Sequence, residues 1–235
     1  MKGAIYLLAA FVAFLLIINT VIYNEEKWSE EEFWEVDSKE LEKKSPRADE
    51  TKKRIALTYD DGPNPVYTKE LLKVLEENEV KASFFLLGKN AQSYPSVVKS
   101  LAKEGHLIGN HTYSHSNLCC IGLENAMKEC QKTNQVIEES CGQTPDYFRP
   151  PYGCAPAALE KNCSMIKVLW DVDPRDWECK NADLVVKRVM DHVADGDIIL
   201  MHDAYASTVE ATRRLIPMLK EEGYEFVTVD DLLIP

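Results

Sequence analysis

The sequence predicts an α/β domain on a mainly parallel sheet, open or closed into a barrel. Three observations carry this. Short apolar runs rich in β-branched and aromatic residues recur from residue 54 onward. Amphipathic stretches with apolar residues three and four apart separate them. The conspicuous polar residues Asp60, Asp61, His111, Arg149, Asp173 and His202 all stand where an apolar run stops. In such sheets the working groups sit at the C-terminal ends of strands.

The 235-residue chain divides into three parts. Residues 3–23 carry no charge and follow Lys2; about 20 apolar residues suffice to cross a bilayer as a helix. Their end, Asn19-Thr20-Val21-Ile22-Tyr23-Asn24, lacks a small-residue cleavage site. The expectation for 1–23 is therefore an uncleaved transmembrane anchor, with a cleaved signal as the alternative. Lys2 places the N-terminus in the cytoplasm and the remainder outside. This predicts a single-pass cell-membrane protein with an extracytoplasmic domain, or a secreted one if the segment is cleaved. Residues 24–52 are charged and poor in aliphatics, which reads as a stalk. Residues 53–235 hold the domain.

Within the domain, residues 55–59 read as a strand and 68–77 as a helix with Leu71, Leu72 and Leu75 on one face. Residues 82–87 form an apolar, aromatic strand, and 96–104 a helix closed by Gly105. A short strand at 107–109, a helix at 123–139, a strand at 147–149 and a helix at 155–161 follow. Strands at 167–172 and 197–201 flank a helix at 182–193. A helix at 208–222 contains Pro217, which predicts a kink, and 225–229 is the last strand.

Composition narrows the function. Hydrophobic residues make up 45% of the chain, as in a globular protein, and the net charge is −12. That charge argues against a nucleic-acid partner, whose binding needs Lys and Arg against phosphates. All seven cysteines lie between Cys119 and Cys179. An odd number leaves at least one unpaired within the chain, and without a CxxC pair a structural zinc ribbon is not expected. Cys130 shares a helical stripe with Leu123, Met127, Asn134 and Ile137, the setting of a small core residue.

Five stretches carry chemistry. Asp60-Asp61-Gly62-Pro63 places adjacent carboxylates at a strand end, unfavourable unless a cation or hydrogen bonds hold them, although the same composition also makes a turn. His111 and His115 are four apart and on one helical turn would face the same way. With a carboxylate from elsewhere, Asp61 being the candidate, they make a hydrolytic metal site with open positions. In Phe148-Arg149-Pro150-Pro151-Tyr152-Gly153 the prolines stiffen a turn. That turn could aim Arg149 bidentately at a carboxylate, and the Tyr152 backbone N–H at an oxyanion. Trp170-Asp171-Val172-Asp173-Pro174-Arg175-Asp176-Trp177 joins carboxylates to indoles that could wall a sugar pocket, or is a charged turn beside core tryptophans. His202, ending an apolar strand, is a core histidine or an acid/base group. His106 and His192 read as structural or surface residues.

Five stretches in one order, from about Arg54 to Leu233, together resemble the polysaccharide deacetylase family, the NodB-like carbohydrate esterases. They are Thr58-Tyr59-Asp60-Asp61-Gly62-Pro63, His111-Thr112-Tyr113-Ser114-His115, Arg149-Pro150-Pro151-Tyr152-Gly153, Asp173-Pro174-Arg175-Asp176-Trp177 and Leu200-Met201-His202. The resemblance implies a distorted, incomplete (β/α) barrel. It implies that Asp61, His111 and His115 hold one divalent metal ion, zinc first, with cobalt, manganese or nickel as alternatives. Asp60 is then the general base, oriented by Arg149, and His202 the acid that protonates the departing amine. Either Asp176 or Asp173 supports His202. Tyr152 offers its N–H to the oxyanion, where a preorganised donor is worth about 3–4 kcal/mol, and Trp177 lines the acetyl pocket. The implied substrate is an N-acetylated glycan, peptidoglycan being the first choice on grounds of location, with an O-acetylated polysaccharide or a non-catalytic glycan-binding role as rivals.

One core-motif position departs from the family, Tyr59 where Phe is usual. Cys119, Cys120, Cys154 and Cys179 fall just after the motifs, which suggests disulfides stapling rim loops.

Overall fold

The computed structural model describes residues 52–233. The expected anchor, residues 1–23, and the charged stretch through residue 51 lie outside the described residues.

Seven strands form the sheet: β1 (Lys53–Asp60), β2 (Ser83–Leu86), β3 (Leu107–Asn110), β4 (Tyr147–Phe148), β5 (Ile166–Lys167), β6 (Ile198–His202) and β7 (Tyr224–Phe226). Their order is β5-β4-β3-β2-β1-β6, with β7 joined to the start of β1. Every pairing among them is parallel. Such a sheet is covered on both faces, and β1 accordingly buries every residue from Ala56 to Asp60.

The crossovers are helical. α1 (Tyr67–Glu77) joins β1 to β2; α2 (Gly88–Ser93) and α3 (Pro95–Lys103) lead to β3; α4 (Leu123–Cys141) leads to β4. α5 (Ala157–Asn162) leads to β5, α6 (Asp176–Cys179) and α7 (Ala182–His192) to β6, and α8 (Ala206–Glu221) to β7, after which α9 (Val229–Leu233) follows. α1 buries Leu71, Leu72, Val74 and Leu75 in the core that holds Leu57 and Tyr59. Each such Leu contributes roughly 1.5–3 kcal/mol relative to exposure. α7 starts at Asn181, whose side chain accepts the Asp183 and Leu184 N–H groups at 2.9 and 3.2 Å.

The result is a parallel half-barrel. Three expectations change. The strand expected at 167–172 is divided: Ile166–Lys167 pair with β4, whereas Val172 bridges to Ile199 of β6. The intervening residues change neighbours, so no continuous ladder forms, and this is where the barrel departs from regularity. The strand expected at 225–229 stops at Phe226, and Val229 begins α9, its N–H held by the Ser83 hydroxyl at 3.0 Å. α2 was not foreseen, its six residues carrying no helical repeat. α8 runs through Pro217 as one element, the proline lying on its exposed face.

Register builds the site. Asp60 pairs with His202 across β1 and β6, and Asn110 pairs with Phe148 across β3 and β4. The residues that follow, His111 and Arg149, therefore leave the sheet at the same end as Asp60 and His202.

Candidate active site

Asp61 leaves β1 with φ 74°, and Thr112, His115 and Tyr152 have φ 66°, 65° and 61°. Left-handed backbone at a non-glycine residue costs about 1–3 kcal/mol and persists only where its surroundings impose it. Here they do. The Asp61 carbonyl accepts from the Asn90 side chain at 2.7 Å. The Glu129 carboxylate of α4 accepts the Tyr113 and Ser114 N–H groups at 2.9 and 2.7 Å. The Asn110 side chain accepts the Thr112 N–H at 2.7 Å and donates to the Cys130 carbonyl at 2.8 Å. The two histidines are thus presented by a pinned irregular loop, and not by the helical turn expected from their spacing.

In this loop the ligand atoms of Asp61, His111 and His115 all lie within 4.8 Å of one another. Asp61 Oδ1 stands 3.6 Å from His111 Nε2 and 3.4 Å from His115 Nε2. His111 Nδ1 lies 2.7 Å from the Arg149 carbonyl, to which it donates. That bond leaves the Nε2 lone pair free toward Asp61, the arrangement by which a metal-ligating imidazole is held. Burial pushes the His115 pKa below its ordinary value, with His111 and Lys89 helping and Asp61 and Asp60 opposing. Asp61 Oδ1 is buried without a hydrogen-bond partner. An orphaned carboxylate oxygen between two imidazoles fits a divalent cation, and a two-His, one-carboxylate set suits zinc or a related ion.

Beside this triad Asp60 is almost fully buried. Its Oδ1 accepts from Arg149 at 2.8 Å, and its Oδ2 is 3.7 Å from His111 Nε2. The Arg149 guanidinium is fully buried and also donates to the Thr58 hydroxyl at 2.7 Å and the Leu169 carbonyl at 3.0 Å. It lies 4.2 Å over the Phe85 ring. The expected bidentate grip on Asp60 is not made: one nitrogen reaches the carboxylate, and the other is taken by Leu169 where the chain crosses between strands.

On the far side His202 Nδ1 donates to Asp176 Oδ1 at 2.8 Å. Asp176 is fully buried, and its other oxygen accepts the His202 N–H at 2.8 Å and the Thr208 hydroxyl at 2.6 Å. Asp173 is exposed; its carboxylate accepts the Arg175 N–H at 2.8 Å. Of the two candidates, the partner of His202 is therefore Asp176. Burial works against charge on His202, but the Asp176 hydrogen bond and charge outweigh it, with Asp60 and Asp61 adding, and its pKa rises to about 9.

Asp60, Asp61, His111, His115 and His202 open into one cavity of about 340 Å³, lined also by Pro150, Tyr152, Trp170, Asp173, Trp177, Leu200 and Tyr205. The Tyr152 side chain is largely exposed, its ring 5.0 Å from that of His115. The next two N–H groups, of Gly153 and Cys154, bond to the Pro150 and Pro151 carbonyls. Cys119 and Cys154 form a disulfide that ties the histidine loop to this turn, while Cys120, Cys130, Cys141, Cys163 and Cys179 are free thiols. Tyr59 needs no allowance at the site: it packs on Phe84 at 5.1 Å and its hydroxyl meets that of Thr212 at 3.0 Å in the core. Burial raises its pKa, so it stays neutral. His106 is a core residue that accepts the Ala82 N–H at 3.2 Å, and burial lowers its pKa to about 4. Glu129, Thr208 and Tyr205 stand outside the sequence motifs. Glu129 and Thr208 carry no local signal because their partners lie far along the chain, and Tyr205 enters only as a wall of the cavity.

Half-barrel and site together define a hydrolase architecture in which a candidate metal triad stands beside Asp60 and His202, paired across adjacent strands. The chain belongs to the polysaccharide deacetylase family, whose model matches residues 47–166. It is 40% identical over 189 residues to the peptidoglycan-N-acetylmuramic acid deacetylase PdaC of Bacillus subtilis, covering 80% of this chain and 40% of that protein. It is 40% identical over 192 residues to a peptidoglycan-N-acetylglucosamine deacetylase of Bacillus cereus, covering 77% of this chain and 88% of that protein. The solved structure of the B. subtilis deacetylase superposes with a TM-score of 0.77 at 40% identity, covering 79% of this chain and 92% of the other. The chain thus spans about two-fifths of the length of PdaC.

Proposed function

We propose that this protein removes N-acetyl groups from an N-acetylated cell-envelope glycan by hydrolysis, with peptidoglycan as the substrate. One observation carries the reading. A base candidate (Asp60) and an acid candidate (His202) are paired in register across adjacent strands, beside a ligand triad, in one sugar-sized cavity. An amide is a poor electrophile with a poor leaving group, so its hydrolysis needs an electrophile, a base and an acid together.

Asp61, His111 and His115 would hold the divalent ion, zinc being the first choice. When bound, such an ion polarises a carbonyl oxygen and makes water more acidic. Asp60 accepts the proton of the attacking water, and its contact with Arg149 holds it pointed into the cavity. The Tyr152 N–H donates to the oxygen on which negative charge develops. His202, held by Asp176, delivers a proton from Nε2 to the departing sugar amine. Trp177 borders the acetyl group, and Asp173 lies at the exposed rim. The uncharged residues 3–23 after Lys2 support anchoring in the cell membrane with the domain outside, which favours a wall glycan over a cytoplasmic substrate.

The test is acetate release by the full chain from peptidoglycan, chitin oligomers and acetylated xylan, before and after chelation. Release from an N-acetylated glycan that stops with chelator and returns with a divalent metal is expected. Acetate from xylan alone would reassign the protein as an O-esterase, and glycan binding without release would defeat the enzymatic reading.

A further inference from the structure

Asp203 follows His202 directly and is fully buried, yet none of the chemistry above uses it. Its backbone N–H donates to the Asp60 carbonyl at 3.3 Å, which ties the end of β6 to the end of β1. Its carboxylate lies flat against Gly62, where a methyl group would overlap both oxygens and stand 2.6 Å from Cγ. Oδ2 accepts the Thr68 hydroxyl of α1, and that hydroxyl oxygen accepts the Asn64 N–H at 2.7 Å. Oδ1 is buried and has no hydrogen-bond partner. The carboxylate thus fills the space under the turn of Asp61, Gly62, Pro63 and Asn64, and touches its inner surface at one end and, through Thr68, at the other. A buried, half-satisfied carboxylate is unfavourable in an apolar setting. Leu or Val would fill the volume without that penalty, but neither could bridge to Thr68.

We propose that Asp203 is a positioning residue: it clamps the Asp61–Gly62 turn from beneath and so fixes the carboxylate ligand in register with His111 and His115. Supports behind the ligands set how well a site is preorganised for its ion. Here the support comes from the strand that carries the acid, so the metal ligand, base and acid share one rigid connection. The inference rests on the metal reading of the triad.

The experiment is zinc affinity of the full-length protein by competition with a chromophoric chelator, with thermal stability and acetate-release kinetics on the same samples. Asp203→Ala should weaken zinc binding at least tenfold and lower kcat more than it raises KM. Asp203→Asn, which keeps the shape and can still accept the Thr68 hydroxyl, should recover to within about threefold of the unmodified protein. Thr68→Val should weaken zinc binding two- to fivefold. A folded Asp203→Ala protein with unchanged zinc affinity overturns the clamp, even if its melting temperature falls, because a purely structural carboxylate would lower stability alone. If Asp203→Ala does not fold, unchanged affinity in Thr68→Val overturns it instead. Failure of the unmodified protein to bind any divalent ion overturns the metal reading first, and the clamp with it.

Discussion

The two sides of the cavity are built differently. On the ligand side, the Asp61 and His115 side chains are 30% and 28% exposed and sit on left-handed backbone, with the His111 side chain, 3% exposed, beside them. On the acid and base side, Asp60, Arg149 and Asp176 are at most 4% exposed, and His202 is 13% exposed; Asp60 and His202 end strands of the sheet. On the proposed function the ligand side must admit an ion, water and an acyl group; it is held by hydrogen bonds to its backbone from Glu129, Asn90 and Asn110. The proton-transfer side gains from low dielectric, since each charge there has a partner and little water competes. On the function proposed above, two of the three ligands stand on strained, half-exposed backbone, while the proton transfers fall to buried groups.

Substituting the adjacent carboxylates one at a time separates the sides most sharply. Asp60→Asn should lower acetate release by roughly 10²–10⁴-fold, the range for loss of a general base, while metal content measured by atomic emission stays at that of the unmodified protein. Asp61→Asn should lose the metal as well as the activity. Near-normal turnover in both variants would dissolve the distinction between a binding side and a proton-transfer side.

A smaller effect is expected from Asp176→Asn. The general acid must be protonated, and its pKa of about 9 lies above the ordinary value of 6.5. The imidazolium therefore predominates up to about pH 9, and activity that depends on it falls as pH rises through that value. Without the Asp176 charge, burial dominates and the alkaline limb of the kcat profile should move down by more than one pH unit, with a drop in kcat of about 10–100-fold. An unmoved alkaline limb would show that the buried side does not set this protonation state.

The smallest effect tests where the site ends. Tyr59→Phe should change acetate release less than twofold and stability by about 1 kcal/mol or less, because only a core hydroxyl pair with Thr212 is lost. Measured by chemical denaturation beside activity, a large kinetic effect would extend the proton-transfer side down β1 into the core.

The order of strands and helices could be read along the chain because parallel α/β units are written locally, as apolar runs and helical stripes. The candidate site residues could be read because five motifs, each weak alone, occur in one order. The sequence reading of Asp60, Asp61, His111, Arg149 and His202 as neighbours depended on all of them standing at strand ends, and strand ends are a local property. What no local pattern contains is which partner each group finds. The choice of Asp176 over Asp173 depends on a fully buried position 2.8 Å from His202. The single-pronged grip of Arg149 on Asp60 depends on Leu169, 20 residues away, claiming the second nitrogen. The presentation of the histidines by a pinned loop depends on Glu129, 14 residues beyond His115, and the position of Asp203 under Gly62 depends on the pairing of β6 with β1. Periodicity and motif order are short-range and survive in the unfolded chain. Pairings between charges exist only once the sheet has closed around them, and so tertiary structure alone decided them.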